Sequence, residues 1–373
     1  MNFVWYASNL CLKMPCKLQV GEAIFSPDSL PEKHAEPFIQ RAFDFCREWL
    51  SEKDEFIIYT SGSTGKPKAI SLSRQQMQAS AQLTAQALML KENDTALVCL
   101  SADYIAGRMM LVRGLELGLH LHLVKPSGDP TEGLPKETKI DFAAVVPLQM
   151  QQILENENTA FFSGGKAIII GGAPVSLPLE EKLQTLDCPA WATYGMTETV
   201  THIALRKLNG TDRSPYFKAL PQVKLSIDER GYLQITAPTT KYETLTTNDH
   251  VNLRSESEFE WLGRADFVIN SGGVKVQPEK IETATARWLF TRNLDMRVCA
   301  LGIPDERLGQ RVVLVLETVS LDNKADLESF LRDHLSRYEV PKEIHFIKEF
   351  PETKTQKVDR KALETQLSCN KPE

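Results

Sequence analysis

Residues 60–68 read Thr-Ser-Gly-Ser-Thr-Gly-Lys-Pro-Lys and follow a short apolar, β-prone run at residues 56–59. Glycines let a backbone approach a ligand closely, and hydroxyls, backbone N–H groups and lysines offer hydrogen bonds and positive charge. A loop of this composition between a strand and a helix suits phosphate oxygens. It is not a Walker motif, because only two residues separate Gly62 from Gly65 where that motif has four. The stretch predicts either a phosphate-binding loop of another class or a flexible glycine-serine turn.

Short apolar runs alternate with helical patterns after this loop. Strands are predicted at residues 95–100, 119–124, 142–146, 167–170 and 190–193, and helices from residue 73, at 105–117, from 147 and near 179–186. In the helix from residue 73, the positions that repeat at helical spacing indicate packing without chemistry: Met77, Ala81, Thr84 and Leu88. Repeated strand–loop–helix units predict a mostly parallel α/β sheet with binding loops at the carboxyl ends of its strands.

The sequence pattern changes near residue 216. Alternating runs at 223–228 and 232–236 flank a Glu-Arg-Gly turn and predict a hairpin, and more short strands follow. These patterns predict an α/β fold: a large N-terminal α/β body with an attached β-rich layer, and a small C-terminal α+β domain. The boundaries are placed at residues 1–264 and 265–373.

The composition excludes several classes of protein. The chain has 373 residues, 42% of them hydrophobic, which is enough for a large core and for two or three domains. A net charge of −6 and a pI near 5.8 argue against nucleic acid as a partner. No apolar run reaches the roughly 18 residues of a membrane span, and the first residues lack the pattern of a signal peptide. We therefore expect a cytoplasmic protein.

Cysteines and histidines give no sign of a metal site. The seven cysteines are odd in number and include no Cys-x-x-Cys, and those at 99, 188 and 299 lie in or beside apolar runs, which is typical of reduced core thiols. His120 and His122 alternate with leucines in a predicted strand, but no neighbouring residues complete a set of ligands.

Four separated stretches match one pattern in order. They are residues 60–68, 193–199, 263–282 and 351–360, and together they resemble the acyl-adenylate-forming family of acyl- and aryl-CoA ligases, luciferases and adenylation domains. The resemblance implies ATP, Mg²⁺ and CoA. A carboxylate would attack the α-phosphate and release pyrophosphate, and the thiol would then attack the acyl carbon. Within the family, residues 104–107 and 194–210 resemble the o-succinylbenzoate–CoA ligases of menaquinone biosynthesis.

The resemblance implies which residues hold the nucleotide and the metal. Those over the β- and γ-phosphates would be Thr60, Ser61, Gly62, Ser63, Thr64 and Gly65, with Lys66 and Lys68 adding charge. Thr197 would bond the α-phosphate, and Glu198 would coordinate Mg²⁺, which prefers carboxylate oxygens. Those around adenine would be the stacking Tyr194, its neighbours Thr193 and Gly195, and the lining residues Gly171, Gly172 and Ala173. Asp249 would accept hydrogen bonds from the ribose hydroxyls, with Arg264 beside it.

The resemblance also implies a rotating small domain with a hinge at Asp266. In one state Lys357 would enter the site and bridge the carboxylate and the α-phosphate. In the other, the hairpin at residues 271–275, which includes Lys275, would line the channel for the CoA arm.

The chain departs from the family in three places. Asn248 and Gln356 replace glycines that usually precede the ribose-binding aspartate and the catalytic lysine. Asparagine tolerates a left-handed backbone, so we expect the first turn to survive, whereas the second change puts the geometry of the lysine loop in question. The phosphate loop also begins at residue 60, whereas family members usually have a whole subdomain before it. We therefore expect an abridged N-terminal body and an acid pocket with one wall that is open or is built by a partner subunit, and a homodimer is our hypothesis.

The candidate contacts to the acid are Ile105, Ala106, Gly107, Arg108, Arg113 and His202. o-Succinylbenzoate has two carboxylates, and the one that does not react needs a cation or good donors once it is desolvated. Arg113 is the first choice and Arg108 the second; the alternative is a helix arginine that points to solvent. Arg113→Ala is expected to raise the KM for o-succinylbenzoate more than for a monocarboxylic benzoate.

Other functions remain open at this point. The chain could activate another aryl or acyl acid, or load a carrier protein instead of CoA. A non-catalytic nucleotide-binding protein is a third possibility, suggested by Gln356 and the short N-terminal body.

Overall fold

The computed structural model describes residues 16–60, 68–352 and 358–369. The chain divides into two compact units. The first is drawn from Met1–Ile58, Ala69–Gly171 and Leu186–His202, and the second from Tyr59–Lys68, Gly172–Thr185 and Ile203–Glu373. Asp266 lies within the second unit, and the hinge expected there stays a prediction.

The first unit contains a mostly parallel sheet with helices. Its strands are β1 (Lys17–Val20), β2 (Ala23–Phe25), β3 (Glu55–Thr60), β4 (Lys68–Ser73), β5 (Thr95–Val98), β6 (His120–Leu123), β7 (Phe142–Val145), β8 (Ala167–Ile170) and β9 (Ala190–Gly195). Its helices are α1 (Pro37–Leu50), α2 (Arg74–Leu88), α3 (Ile105–Leu117) and α4 (Pro147–Glu155). The strand order is β9-β8-β7-β5-β6-β1-β2, with every pair parallel except β1–β2, while β3 and β4 form a separate ribbon. The predicted α/β architecture is confirmed.

Sequence patterns explain how these elements begin and what they bury. Ser73 and Gln76 form a capping box at the start of α2, satisfying backbone N–H groups that have no partner inside the helix. The apolar strands β7 and β8 are fully buried, as expected for the centre of a parallel sheet. Cys99, Cys188 and Cys299 are buried free thiols, as predicted, and so are Cys16 and Cys46.

His122 makes the first unit sensitive to acid. It is 6% exposed on β6, its ring lies 4.8 Å from that of His120, and burial lowers its pKa to about 4. In the unfolded chain a histidine takes up its proton near pH 6.5. Between pH 6.5 and pH 4 the unfolded chain therefore binds a proton that the folded protein does not. The contribution of His122 to the free energy of unfolding is fully present above pH 6.5 and is lost as the pH falls towards 4, by about 3 kcal/mol in total.

We expect His122→Gln to remove this part of the acid dependence. The measurement is the free energy of urea unfolding at pH 7 and pH 5, where the difference between the two should shrink by about 2 kcal/mol relative to the unsubstituted protein. His334→Gln, at an exposed position in the C-terminal part of the chain, is the matched control. An unchanged pH 5 to pH 7 difference in His122→Gln would show that the ring is hydrated in the folded state.

The second unit contains an antiparallel layer and a small α+β sheet. Its elements are α5 (Leu177–Lys182), β10 (His202–Lys207), β11 (Phe217–Ala219), β12 (Lys224–Ile227), β13 (Tyr232–Thr236), β14 (Leu245–Ser255), β15 (Glu258–Arg264), β16 (Ile269–Ser271), β17 (Val274–Val276), α6 (Pro278–Phe290), β18 (Val298–Asp305), β19 (Gly309–Glu317), α7 (Lys324–His334), β20 (Glu343–Ile347) and α8 (Arg360–Cys369). The layer runs β12-β13-β14-β15-β11-β10, and the predicted hairpin is β12–β13.

The C-terminal sheet has the order β17-β16-β19-β18, with β20 parallel to β19. Its core joins Ile281 and Trp288 of α6 to Leu314 of β19 and Leu327 of α7. The predicted β-rich layer and C-terminal α+β segment are therefore both present. None of the described helices has the length and hydropathy needed to cross a membrane.

Candidate active site

The carboxyl end of β9 carries five of the predicted nucleotide residues. Thr193, Tyr194 and Gly195 end the strand, and Thr197 and Glu198 follow in a 3-10 turn, both half-buried. The turn is fixed by Thr199, which is fully buried, accepts the Met196 N–H at 3.1 Å and lies 2.8 Å from the carbonyl of residue 201. The hydrogen bonds of Thr199 therefore fix the segment that carries Thr197 and Glu198.

A strained residue ends this segment. Val200 has φ 68° and ψ −65°, and the Thr201 N–H bonds the Thr199 carbonyl at 2.8 Å, which is the geometry of a γ-turn. A β-branched residue rarely takes a positive φ, and such strain costs on the order of 1–3 kcal/mol. The turn reverses the chain and brings residues 201 and 202 against β9.

Close packing at the strand ends accounts for two of the predicted glycines. A Cβ on Gly171 would lie 2.2 Å from Thr193 Oγ1, and one on Gly195 would lie 2.2 Å from the Thr201 carbonyl oxygen. Thr193 in turn donates to the Ile170 carbonyl at 3.3 Å. Side chains at the two glycines would separate β8 from β9, or β9 from the segment that follows Val200.

Arg113 lies inside the first unit with almost nothing to neutralise it. It is 2% exposed on α3, and among the described residues no carboxylate lies within ion-pair distance of it. Its Nη2 donates to Thr201 Oγ1 at 3.2 Å, and its Nη1 points to the Met110 sulfur at 3.7 Å. Its buried Nε has no hydrogen-bond partner in the described ranges. Burial without a counter-ion lowers the pKa of Arg113 to about 10. The alternative of a solvent-facing helix arginine is wrong.

His202 belongs to the same buried polar cluster. It is 6% exposed, and its Nε2 lies 3.3 Å from Thr84 Oγ1. Thr84 donates its one proton to the Ser80 carbonyl at 2.9 Å, so the shared hydrogen bond is donated by the His202 Nε2–H. Burial and the neighbouring Arg113 cation hold the pKa of His202 well below its usual value, so the ring is neutral.

The reading of α2 as a face for packing alone was incomplete. Met77, Ala81, Thr84 and Leu88 are buried as predicted, but Thr84 also hydrogen-bonds His202, and Ser80, one turn earlier, contacts Thr201. Two small hydroxyl residues four apart on an apolar face were the available signal. Their partners lie more than a hundred residues away in the chain, so sequence spacing could not reveal them.

The other acid candidates lie at the start of α3. Gly107 packs against backbone, since a Cβ there would meet the Ser101 carbonyl oxygen at 2.2 Å. Arg108 donates to the carbonyls of Ala102 at 2.8 Å and Ile57 at 3.2 Å. These bonds tie Arg108 to the scaffold. Ile105 is half-buried and Ala106 exposed in the first turn.

The ribose candidates lie in the second unit. Asp249 is 4% exposed on β14, accepts a hydrogen bond from Trp261 Nε1 at 3.2 Å, and has Arg264 Nη1 3.9 Å from its Oδ1. Arg264 also pairs with Asp266 at 2.8 Å, and Asn248 donates to the other oxygen of Asp266 at 3.2 Å. Buried Asp249 thus combines one aromatic donor with a nearby cation.

The backbone expectation for Asn248 is wrong. The residue is inside strand β14 and is absent from the described non-glycine residues with positive φ. Extended backbone accepts any residue, so the missing glycine needs no special compensation. Its amide instead bonds the predicted hinge residue Asp266.

The remaining nucleotide candidates lie on several elements. Lys68 is exposed at the start of β4, Gly172 has φ 84°, Ala173 is exposed, and Lys275 is exposed on β17 opposite Asn270. Thr60 ends β3. Eight residues named in the predictions lie outside the described ranges: Ser61, Gly62, Ser63, Thr64, Gly65, Lys66, Gln356 and Lys357.

The residues present fit a magnesium ion that arrives with phosphates. Among residues 16–60, 68–352 and 358–369, no group of three His, Cys, Asp or Glu side chains is arranged to hold a metal. Magnesium commonly takes one or two protein carboxylates, with phosphate oxygens and waters completing its shell. A single half-buried carboxylate, Glu198, is therefore a chemically sufficient protein ligand.

Family models and a curated relative match this chain. The family described as AMP-binding enzyme matches residues 16–235, and its C-terminal domain matches residues 296–357. The chain is 27% identical to a 2-succinylbenzoate–CoA ligase of Bacillus cytotoxicus, over 92% of this chain and 77% of that protein.

Solved structures give the same result. An acyl-CoA synthetase (AMP-forming)/AMP-acid ligase II-like protein from Dyadobacter fermentans is 40% identical with a TM-score of 0.61, over 92% of this chain and 97% of that one. The fold also matches o-succinylbenzoate CoA synthetase from Bacillus subtilis, solved with ATP and magnesium, at a TM-score of 0.68, 22% identity, and coverage of 83% and 69%. The chain therefore belongs to the family of AMP-binding enzymes and has the adenylate-forming fold.

Proposed function

We propose that this AMP-forming acid–CoA ligase activates o-succinylbenzoate with ATP and transfers the acyl group to CoA. The observation that carries the choice of acid is Arg113, a fully buried cation whose only oxygen partner among the described residues is the hydroxyl of Thr201. An unpaired buried charge is costly, so a fold retains one where a ligand supplies the opposite charge. A diacid would supply it with the carboxylate that does not react.

The reaction needs positioning and charge stabilisation more than covalent help. In the first half, a carboxylate oxygen attacks the α-phosphorus and the bond to pyrophosphate breaks. In the second, the sulfur of CoA attacks the acyl carbon and AMP leaves. Thr197 would hold the α-phosphate, and Lys357 would bridge the two reactants in the first half. When bound at Glu198, magnesium would offset the negative charge of the phosphates.

Nucleotide binding would use the residues that the resemblance to the family indicates. Tyr194 would stack on adenine at the end of β9, beside Gly171, Gly172 and Ala173, and residues 60–65 with Lys68 would cover the outer phosphates. Asp249 would accept hydrogen bonds from the ribose hydroxyls, because an ionised carboxylate accepts at two oxygens with about four lone-pair sites. In the same proposal, the small domain rotates about Asp266 between the two halves of the reaction. Lys275 would then line the channel for the CoA arm in the second half.

Asp249→Asn is expected to weaken ATP binding while leaving the fold intact. The amide loses the charge-assisted hydrogen bonds to the ribose, so the KM for ATP should rise about 10- to 100-fold with a smaller change in kcat. The measurement is pyrophosphate release at varied ATP, supported by calorimetric titration with AMP. Asp212→Asn, at an exposed ion pair with Lys207, is the control. An unaltered KM for ATP would remove Asp249 from the nucleotide site.

The central test is turnover of o-succinylbenzoate with ATP, Mg²⁺ and CoA, followed as thioester and pyrophosphate. A panel of aryl and acyl acids, with CoA or a phosphopantetheinyl carrier protein as acceptor, separates the proposal from the two other ligase functions. Thioester formation from o-succinylbenzoate well above the panel supports the proposal. Preference for another acid or for the carrier protein contradicts it.

The cellular setting is part of the proposal. We expect a cytoplasmic enzyme of menaquinone biosynthesis that uses small-molecule substrates and no nucleic acid. A homodimer remains our expectation, checked by light scattering at micromolar concentration. A monomeric mass there would contradict it.

A further inference from the structure

Two hydroxyl groups lie beside Arg113 that the sequence did not connect with acid binding. Ser80 on α2 is 1% exposed, and its Oγ lies 2.7 Å from Thr201 Oγ1 across 121 residues of chain. Thr201 Oγ1 is the same atom that accepts from Arg113 Nη2 at 3.2 Å. The three side chains therefore form one hydrogen-bonded row inside the first unit.

Counting protons shows that this row has more donors than acceptors. Ser80 and Thr201 have one hydroxyl proton each, but they share a single O···O contact. Whichever hydroxyl donates across it, the other proton has no acceptor among the described residues. Within the part of the chain that the structure describes, Arg113 adds a buried Nε–H that has no hydrogen-bond partner and an Nη1 whose hydrogen-bond partner is the Met110 sulfur.

The neighbouring histidine does not correct the excess. His202 donates a hydrogen bond from Nε2 to Thr84 Oγ1, and the Thr84 hydroxyl donates to the Ser80 carbonyl oxygen. The acceptor that remains on the ring, Nδ1, makes no hydrogen bond to Ser80, Thr201 or Arg113 among the described residues. A carboxylate would supply the missing acceptor, because it accepts at two oxygens in the plane that a guanidinium and an adjacent hydroxyl present.

We propose that Ser80 and Thr201 are specificity-determining residues, which offer a hydroxyl proton next to the Arg113 guanidinium to the non-reacting carboxylate of the acid. The inference rests on the proposed function and names two residues of its acid site. The site would then discriminate against a monocarboxylic acid, because such an acid leaves these donors without an acceptor. Buried donors that lose their acceptor are costly, so a site built to bond a polar group rejects analogues that lack it.

The test compares two acids in three proteins. The acids are o-succinylbenzoate and its analogue with hydrogen in place of the non-reacting carboxylate; the proteins are the unsubstituted enzyme, Ser80→Ala and Thr201→Val. For o-succinylbenzoate, we expect each substitution to lower kcat/KM for pyrophosphate release about tenfold, mainly through KM. For the analogue, kcat/KM should fall by less than about twofold. The ratio of kcat/KM for the diacid to kcat/KM for the analogue, which measures the diacid preference, therefore falls.

Two further variants separate specificity from stability. Ser80→Thr keeps a hydroxyl and should retain a diacid preference within about threefold of the unsubstituted enzyme. Thr131→Ala removes another fully buried hydroxyl of the first unit, one that bonds Asp129, and should lower stability without altering the ratio. Equal losses on both acids in Ser80→Ala and Thr201→Val would overturn the inference and leave the ligase assignment intact.

The proposed function fails in a different way. If the unsubstituted enzyme activates another diacid, the choice of o-succinylbenzoate is wrong, and the same ratios measured with that diacid and its monoacid test Ser80 and Thr201. An enzyme that activates only monocarboxylic acids overturns both.

Discussion

Arg113→Met is expected to stabilise the protein and to remove most of its activity towards o-succinylbenzoate. The guanidinium is fully buried, its pKa falls to about 10, and its polar partners among the described residues are one hydroxyl and one thioether. Methionine fills similar volume without a desolvated charge, so the free energy of unfolding should rise by about 1–2 kcal/mol. The kcat/KM for the diacid should fall about 100- to 1,000-fold, because a buried carboxylate would lose its counter-charge.

The experiment is decisive because stability and activity are expected to change in opposite directions: the free energy of unfolding rises while kcat/KM for the diacid falls. Urea unfolding without ligand gives the stability, and pyrophosphate release with the diacid and its monocarboxylic analogue gives the activity. Arg108→Met is the matched control on the same helix, because Arg108 bonds two backbone carbonyls and its loss should destabilise the fold without a selective effect on the diacid. If Arg113→Met destabilises the protein and affects both acids equally, the arginine is a structural residue and the choice of acid loses its support.

Gly195→Ala is expected to have the largest effect on the fold near the nucleotide residues. A Cβ at this position would lie 2.2 Å from the Thr201 carbonyl oxygen and 2.6 Å from the His202 Cα. Both are backbone atoms, which cannot rotate aside as a side chain can. We expect a loss of about 3 kcal/mol in stability and a drop in activity with every acid, because Thr201 also holds Arg113.

Gly128→Ala is the control for this substitution. The nearest atom to its added Cβ is the Gln152 Cγ at 3.5 Å, an ordinary contact, so stability should change by less than about 0.5 kcal/mol. Unfolding in urea compares the two variants directly. A Gly195→Ala protein as stable as Gly128→Ala would show that β9 and residues 201–202 lie farther apart than the structure places them.

Fold class followed from local patterns. The order of strands and helices, the capping box at Ser73 and the β12–β13 hairpin depend on neighbours within a few residues, and all three are present. The family was predicted from the resemblance of four motifs, and the comparisons confirm the family. The roles of single residues in them, from Glu198 to Lys357, stay predictions, because each depends on a bound ligand.

The acid site shows where local reasoning ends. The sequence offered Arg108 and Arg113 as alternatives five residues apart on one helix, and nothing in their spacing separates them. The structure does: Arg108 bonds carbonyls, whereas Arg113 is buried beside two hydroxyls. Which arginine lacks a counter-ion depends on what the rest of the chain packs around it.

The sequence by itself determined the order of strands and helices, because hydrophobic periodicity is encoded by adjacent residues. It also indicated the adenylate-forming family and fold, through the resemblance of four motifs to that family. Only the tertiary structure decided that Ser80 meets Thr201 across 121 residues, and that Val200 takes a strained positive φ. Contacts of this kind come from the packing of α2 and α3 against the end of β9. Packing is a property of the whole core, so no short stretch of sequence specifies it.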